Sequence, residues 1–456
     1  MNNSRASVNL GNVADFNRQF FPADFRPDHL GTWELEGHHY ACLAPFYSSD
    51  PGIVVMPLTP RPEWVELQLA VMRWPHLDLR TGVRDDAAGI CAAVLADDRL
   101  LADVAEAVRA GSVLLPWGNT AGVAELRARV AGADGDGPAP GPGAAGPGAG
   151  EVDCARFESK VRANERFRLA AAAAERVVVA RQDVCASIEE AAVTLARRIA
   201  DTGRPQMLKS DFGVGGFGTT MIAPEQAATP ATARRLLAAL IKEDAIYGVL
   251  PLIVEEYVPH PPGLWSQTNV NAEIEPDGTL RLRGCAAMDV VDTKYAGAVV
   301  GGGLDHGVRR RMEAFGTAVG QLMREAGYVG WFDIDFIRTE DDVLVPTETN
   351  ARRTGPTAAL SIAQNLAADA DGTGVVVRTN DRVLLPRPAT EQEMLNRFLA
   401  CARSLGPAAG VQFVPTVVTA TDQEFPYFGF AAAGDEMETV NAATEAFSQA
   451  LLREDY

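Results

Sequence analysis

A glycine-rich segment constrains the fold of this chain more than any other stretch of its sequence. In KSDFGVGGFGTT, residues 209–220, four glycines fall within six positions. A strand ending at Lys209 and a β-branched stretch over Thr219–Ala223 predict a hairpin around this loop. Two glycines usually suffice for a hairpin turn. The surplus favours a mobile flap whose exposed N–H groups cover phosphates.

Two phosphate-binding motifs compete for the same residues. Gly213, Gly215 and Gly218 satisfy GxGxxG, but that motif needs a helix directly after the last glycine, where this chain predicts a strand. The Walker A motif fails because its lysine follows the glycines, whereas Lys209 precedes them. A purely structural hairpin turn stays open as the alternative to a phosphate flap.

A pair of late strands carries acidic and amide side chains on matching faces. In WFDIDFI, Asp333 and Asp335 share one side of the predicted strand. The next strand ends in TETNARRTG, where Glu348 and Asn350 also share a side and are followed by Arg352. Such oxygen ligands suit Mg²⁺ that binds nucleotide phosphates. The alternative for these residues is a solvated sheet face.

A third segment, LIVEEYV, is an apolar strand that ends in charge directly before a proline. Its last residues, Glu255, Glu256, Tyr257 and Val258, could offer free backbone groups to the edge of an adenine ring. Taken alone, this pattern favours a plain edge strand.

The charge balance limits the ligands and partners. The 456 residues carry 41 basic and 60 acidic side chains, a net charge of −19, and only four lysines. Nucleic acids and anionic membranes are thereby excluded as general partners, since both require a basic surface. A polyanion must instead be held by a local cluster, so each lysine is a candidate. Widely spaced cysteines and the lack of an apolar leader predict a cytoplasmic protein.

The order of predicted elements suggests several α/β units. Short strands at 52–58 and 112–118 enclose helices at 85–96 and 98–110, and the Gly/Pro/Ala-rich stretch at 131–150 reads as a flexible linker or loop. A helix over 155–175 precedes the strand VVVA, and Ser187 with Glu190 predicts a capping box for the next helix.

In this order the motifs resemble the ATP-grasp fold, over about Glu158–Gly355. The family's sequence of elements is matched by Lys160, Lys209 with its flap, the strand at 252–258, Lys294 in a predicted loop, Asp335, and Glu348-x-Asn350-x-Arg352. The resemblance implies a mixed α/β (α+β) chain with four parts. These are an N-terminal Rossmann-like pre-ATP-grasp domain (1–130), the linker (131–150), the ATP-grasp domain (151–374) and a C-terminal α/β domain (375–456).

The resemblance also implies roles for individual residues. It assigns ATP contacts to Lys160, Lys209, Ser210, Gly215, Gly216, Phe217, Gly218, Glu255, Glu256, Tyr257 and Val258. It assigns two Mg²⁺ ions, for which Mn²⁺ could substitute, to Asp335, Glu348 and Asn350. Arg352 would stabilise an acyl phosphate, and Lys294 would close over the γ-phosphate.

One position departs from the related D-alanine–D-alanine ligases. Those enzymes have an arginine two residues before the metal aspartate, where this chain has Asp333. Arg283, on an earlier strand, is a candidate for the missing cation. Asp333 is either an additional metal ligand or an acid that supports one.

The activity implied is that of an ADP-forming ligase that joins a carboxylate to an amine. Within the family, the chain resembles the pheganomycin-type peptide ligases. This implies a small carboxylic acid or N-modified amino acid and the amine of an amino acid or peptide as substrates, a role in peptide natural-product biosynthesis, and allows a homodimer. The alternatives are a non-catalytic ATP-binding scaffold and an ATP-grasp enzyme with a non-amine acceptor.

Overall fold

A computed structural model describes residues 6–20, 27–83, 89–132, 154–213, 216–291, 294–367 and 374–453. The predicted linker at 131–150 lies outside these ranges apart from Ala131 and Gly132. None of the described helices combines the length and the hydrophobicity that crossing a bilayer requires.

The N-terminal part contains a parallel four-stranded sheet in the order β3-β2-β1-β4. Its strands are β1 Ser7–Leu10, β2 Pro51–Val55, β3 Asp78–Arg80 and β4 Val113–Pro116. Its helices are α1 Val13–Arg18, α2 Pro27–Tyr40, α3 Pro62–Met72, α4 Ile90–Ala96, α5 Asp98–Arg109 and α6 Ala121–Ala131. Strands alternating with helices produce the small α/β unit that the sequence predicted.

A second, antiparallel sheet has the order β5-β8-β6-β7. It consists of β5 Gln182–Cys185, β6 Gln206–Ser210, β7 Thr219–Ile222 and β8 Leu252–Glu256, with helices α9 Ile188–Thr202 and α10 Pro230–Glu243. Leu195 and Leu237 from the helices pack with Leu208 and Val254 from the strands in one apolar core. The predicted hairpin is therefore β6–β7, with the glycine-rich loop at its tip.

The largest sheet is antiparallel and eight-stranded, in the order β13-β12-β9-β10-β11-β14-β16-β15. Its strands are β9 Gln267–Ile274, β10 Leu280–Val291, β11 Lys294–Val300, β12 Gly330–Arg338, β13 Leu344–Asn350, β14 Val376–Leu384, β15 Gln412–Pro415 and β16 Tyr427–Gly434. The accompanying helices are α7 Ala155–Glu158, α8 Lys160–Ala170, α11 His306–Glu325, α12 Gly355–Leu366, α13 Glu391–Ala409 and α14 Met437–Leu451. Strands from the predicted C-terminal domain thus continue the sheet of the predicted ATP-grasp domain, and the division into domains stays a prediction.

Three local predictions are wrong. VVVA does not form a strand: Val177 makes a single bridge to Leu344, and the strand begins only at Gln182. The predicted helix over 155–175 breaks at Ser159, whose extended backbone (φ −59°, ψ 121°) and hydroxyl cap α8 instead. The segment around Lys294 is not a loop, because β11 pairs with β10 and β14 and buries its second half.

The predicted capping box at α9 is only half formed. The Ser187 hydroxyl accepts a hydrogen bond from the Glu190 N–H at 3.1 Å, as predicted. The Glu190 carboxylate, however, accepts from the Ala186 N–H at 2.8 Å, one residue before the position that a capping box uses.

Candidate active site

Four polar side chains meet where β12 and β13 pair. Asp333 lies opposite Asn350, and Asp335 lies opposite Glu348. The Asn350 amide donates hydrogen bonds to Asp333 Oδ1 at 2.8 Å and to Asp335 Oδ2 at 3.2 Å. One amide therefore holds two carboxylates side by side, on the face that strand alternation predicted.

The carboxylates of this group have strongly perturbed acidities. Burial raises the pKa of Asp333 to about 7. Burial, followed by the charges of Asp333 and Glu348, raises the pKa of Asp335 well above its ordinary value. For Glu348, burial acts in the same direction, but the nearby charges of Lys160, Lys209 and Arg352 together leave its pKa lowered. The group thus holds negative charge next to cations, with two acids that resist ionisation.

The donor set fits a divalent cation that is shared with phosphates. Asp335 Oδ1 is buried and has no hydrogen-bond partner, and Glu348 and Asn350 supply further oxygen atoms beside it. In the described part of the chain, no three His, Cys, Asp or Glu side chains by themselves form a metal-binding group. Two carboxylates with an amide oxygen are a donor set that suits Mg²⁺, which is commonly held by one or two carboxylates and completes its coordination with water and phosphate oxygens.

Two buried lysines approach this acidic group from different elements. Lys160, at the start of α8, is 4% exposed, and its Nζ lies 3.3 Å from Glu348 Oε2. Lys209, on β6, is 6% exposed and lies 2.5 Å from Glu255 Oε1. The Gln182 amide donates to the other Glu255 oxygen at 2.5 Å. Lysine is almost never fully buried unless its charge is paired, and each of these two ammonium groups is paired with a glutamate.

The glycine-rich hairpin lies over these lysines. The Ser210 N–H donates to the Gly218 carbonyl at 2.8 Å and closes the loop. At Gly213 a Cβ atom would lie 2.2 Å from the Phe217 carbonyl oxygen and 3.6 Å from Lys160 Nζ, so only glycine fits there. Gly218 has a φ of 70°, which favours glycine. Gly216 and Phe217 lie in the same loop, whereas Gly215 lies outside the described residues.

Lys294 contacts the hairpin through an aromatic ring. Its Nζ lies 5.0 Å from the centre of the Phe217 ring, and the Trp33 ring packs on the same phenylalanine at 4.2 Å. Lys294, the predicted catalytic lysine, is exposed and contacts the flap through the Phe217 ring. No described hydrogen bond or ion pair joins it to the acidic group.

The predicted hinge strand is an interior strand, so the edge-strand interpretation is wrong. β8 lies between β5 and β6 because both of its edges form backbone ladders. The Glu255 carboxylate is turned inward to Lys209, and the Glu256 N–H donates to the Arg181 carbonyl at 3.0 Å. Tyr257 and Val258 follow the end of the strand, where the chain leaves the sheet.

Glu158, a buried residue that no sequence motif indicated, forms an ion pair with Arg352, the predicted catalytic arginine. Arg352 Nη1 donates to both Glu158 oxygens, at 2.7 and 3.0 Å, and to Asn350 Oδ1 at 2.8 Å. The Ala351 N–H also donates to Glu158. Arg283 forms its described ion pairs with Glu273 and Glu275 instead, and so does not supply the missing cation. The only signal for Glu158 in the sequence is its position two residues before Lys160.

Solved structures with a similar fold include N5-carboxyaminoimidazole ribonucleotide synthetases. One in complex with ADP has a TM-score of 0.50 at 11% identity, over 97% of this chain and 96% of that chain. The Aspergillus clavatus enzyme in complex with ADP and its aminoimidazole ribonucleotide has a TM-score of 0.52 at 12% identity, over 88% and 99%. The Thermus thermophilus enzyme has a TM-score of 0.50 at 14% identity, over 89% and 93%.

No protein-family model matches the sequence, and no curated protein matches it. At these identities the structural likeness concerns the fold alone. The likeness extends over 88–97% of this chain in these three structures. The chain has the mixed α/β ATP-grasp fold.

Proposed function

We propose that this chain is an ATP-dependent ligase that activates a carboxylate as an acyl phosphate and couples it to an amine. The observation that carries the proposal is the convergence of two buried lysines, from α8 and β6, on the carboxylates of β8 and β13. A buried ammonium needs a partner charge in the absence of ligand. Phosphates of a bound nucleotide would take over that role.

The lysines and the hairpin would hold the triphosphate. Lys160 and Lys209 would neutralise the α- and β-phosphates, exchanging part of their present contact with Glu348 and Glu255. Ser210 and the loop residues Gly215 to Gly218 would cover the phosphates with backbone N–H groups. The Lys160 N–H donates to the Asp211 carbonyl at 3.2 Å, and this bond supports the arrangement because it keeps the base of the flap close to the lysine.

The adenine ring would lie at the end of β8. Residues Glu255 to Val258 would receive it, with the backbone of Glu256 and Val258 reading its edge. Since the Glu256 N–H is already bonded to Arg181, the Glu256 carbonyl is the group that would accept from the adenine amine. Similar enzymes solved with ATP or ADP bound support nucleotide binding by this fold.

Two Mg²⁺ ions, or Mn²⁺ in their place, would be held by Asp335, Glu348 and Asn350. The metal would supply charge neutralisation on the phosphates. The chain's own contribution is to keep Glu348 ionised, through Lys160 and Lys209, and to fix both aspartates through the Asn350 amide. Asp333 is a supporting acid in this scheme, because Asn269, Asn350 and Thr354 all donate to it.

The reaction would run in two displacement steps. A substrate carboxylate oxygen attacks the γ-phosphorus and ADP leaves, with Lys294 closing over the transferred group. The amine then attacks the acyl carbon, a proton leaves the nitrogen, and phosphate departs. Arg352 would stabilise the oxyanion of the second step. Glu158 holds the Arg352 side chain in place. Such positioning of a catalytic group contributes to the rate of the reaction.

A narrower proposal concerns the substrates. The TETNARRTG motif and the sequence resemblance support a pheganomycin-type peptide ligase of natural-product biosynthesis. It would join a small carboxylic acid or N-modified amino acid to an amino acid or peptide in the cytoplasm, and could act as a homodimer. The proposed domain boundaries remain those at 130, 150 and 374.

One assay separates this proposal from its alternatives. The purified protein is incubated with Mg-ATP, mixed carboxylic acids and hydroxylamine, and both hydroxamate and ADP are measured. Hydroxamate together with ADP is the expected result. ADP without hydroxamate would favour a non-amine acceptor with an untrapped intermediate, and nucleotide binding without ADP would favour a non-catalytic scaffold. Formation of AMP would contradict the proposal.

A further inference from the structure

A small, partly open cavity lies where the N-terminal sheet meets the large sheet. It is lined by the turn after β4, including Trp117 and Asn119, and by Trp331 on β12, with Arg352 and Arg353 after β13. The Arg353 N–H donates to the Trp117 carbonyl at 2.8 Å, which joins the two walls. Arg352 also contacts Asn350, so it borders both this cavity and the proposed metal site.

The walls carry several hydrogen-bond donors that have no acceptor. The indole Nε1 atoms of Trp117 and Trp331 and the Nε atoms of Arg352 and Arg353 are all buried and unpartnered. The four side chains are between 3% and 8% exposed. A buried donor without an acceptor destabilises the fold, and more so when the group is charged. Four of them around one cavity exceed what packing alone explains.

Arg353 adds a positive charge to this cavity. Its guanidinium donates to the Pro116 carbonyl at 2.9 Å and to the Tyr47 carbonyl at 3.5 Å. It also lies 5.1 Å from the ring centres of both Tyr47 and Trp331. Among the described ion pairs none involves Arg353, whereas the neighbouring Arg352 is paired with Glu158. A buried guanidinium without a carboxylate partner favours an anionic ligand.

The one carboxylate on the cavity wall does not cancel this charge. Glu273 also lines the cavity, but it forms an ion pair at 2.5 Å with Arg283. The pairs Arg352–Glu158 and Arg283–Glu273 are each neutral. Arg127 also lines the cavity, but it is partly exposed to solvent and donates to Asn119 Oδ1 at 3.2 Å, so the buried charge that remains is that of Arg353. A ligand with one negative charge would balance it.

The size of the cavity limits what it can hold. Its volume is about 30 Å³, and one water molecule needs roughly 10–15 Å³. The space therefore matches a group of two or three heavy atoms. A planar oxyanion such as a carboxylate has that size and accepts from several donors at once.

We propose that this cavity is a binding site for a single carboxylate group, held by Arg353 and the indole N–H groups of Trp117 and Trp331. The site is separate from the metal-binding acids, none of which lines it. One part of this proposal rests on the proposed function: the site would anchor a carboxylate that a substrate carries in addition to the one that is phosphorylated. The binding of a free carboxylate to the cavity does not depend on that function.

The test uses sodium formate and sodium acetate as probes of the full-length protein. Intrinsic tryptophan fluorescence is followed at constant ionic strength, with sodium chloride as the matched control. A saturable change with formate or acetate that chloride does not produce is expected. Trp331→Phe and Trp117→Phe keep an aromatic ring but remove one donor, and each should weaken the binding of formate about tenfold or more. Binding to these variants is followed by calorimetry, because the substitution alters the fluorescence.

Trp74→Phe is the matched control substitution. The Trp74 indole already donates to the Ser49 carbonyl at 3.1 Å, so this variant should lose stability and keep the affinity for formate. Trp331→Phe should keep its stability without ligand, because it removes an unsatisfied donor. The absence of saturable binding, equal binding of chloride, or unchanged affinity in both Trp117→Phe and Trp331→Phe would overturn the proposal. ATP turnover is measured separately. It tests the proposed ligase activity, and its result is independent of whether the cavity binds a carboxylate.

Discussion

Arg352 and Glu158 form a buried ion pair, 2.7 Å between Nη1 and Oε2, that joins the end of β13 to the segment just before α8. The two side chains are 4% and 5% exposed. Since Lys160 follows Glu158 by two residues and Asn350 precedes Arg352 by two, this pair fixes the distance between the proposed phosphate site and the proposed metal site.

Glu158→Gln should therefore lower both stability and turnover. Removing one charge of a buried pair leaves the other uncompensated, which costs about 3 kcal/mol. Urea unfolding followed by circular dichroism measures this loss, and ADP release measures turnover. Glu165→Gln removes an exposed partner of Arg162 and should change stability by less than about 1 kcal/mol. Equal effects of the two substitutions would show that the buried pair has no special role.

Lys209→Ala and Glu348→Ala should each reduce ATP turnover by about 100-fold or more, because each removes a charge that the transferred phosphates require. Circular dichroism should show an intact fold. Lys242→Ala supplies the control, since Lys242 is exposed on α10 and should retain full turnover. Activity of Lys209→Ala or Glu348→Ala at the wild-type level would sink the assignment of the site.

Gly213→Ala should impair nucleotide use more than folding. The added Cβ would lie 2.2 Å from the Phe217 carbonyl oxygen, so the flap must change its conformation. We expect kcat/KM for ATP to fall about tenfold or more. Gly31→Ala is the control, because nothing lies within 4 Å of its Cβ position. An unchanged kcat/KM in Gly213→Ala would mean that the flap does not contact ATP.

Asn350→Asp should make the protein depend more strongly on Mg²⁺. The amide now donates to Asp333 and Asp335, and an added carboxylate would repel both. The melting temperature without metal should fall, and the increase produced by Mg²⁺ should be larger than in the wild type. Differential scanning fluorimetry with EDTA or Mg²⁺ measures both. A smaller increase in the variant would argue against a metal at these residues.

Asp381→Asn should remove a pH dependence of stability. Burial raises the pKa of Asp381 to about 6 from 3.8, although Tyr40 donates to it at 2.7 Å. The folded state thus binds this proton more tightly than the unfolded state. Its contribution is fully present below about pH 4 and is lost as the pH rises through about 6, on the order of 3 kcal/mol.

Urea unfolding of both proteins between pH 4 and pH 7 checks this prediction. The wild type should lose more stability over that interval than Asp381→Asn. Asp422→Asn, at an exposed position, should follow the wild type. Parallel curves for wild type and Asp381→Asn would contradict the sign argument.

Elements whose partners lie nearby in the sequence were predictable. The β6–β7 hairpin and the β12–β13 pair each join neighbouring strands. Turn residues therefore located Lys209 near the end of β6, and alternation placed Asp335, Glu348 and Asn350 on matching faces. The capping residues Ser187 and Thr229 likewise mark the starts of α9 and α10.

What the sequence could not reveal depends on long-range contacts. Glu158 forms an ion pair with Arg352, which lies 194 positions later in the sequence. Trp117 accepts a hydrogen bond from Arg353 across a comparably long sequence separation. No local sequence pattern signals either contact. VVVA has the composition of a strand, yet only Val177 finds a partner. For Lys294 the family resemblance suggested a loop, whereas pairing with β10 and β14 makes the segment a strand.

The continuity of the large sheet has a consequence for how the molecule can be divided. β11 pairs on one side with β10 and on the other with β14, so the chain after Gly374 closes the open edge of the sheet that carries Asp335 and Glu348. A fragment truncated before Val376 would keep every residue proposed to bind nucleotide. It would also expose a long unpaired strand, the usual starting point of aggregation. The C-terminal region is therefore needed to complete the sheet on which the proposed site is built.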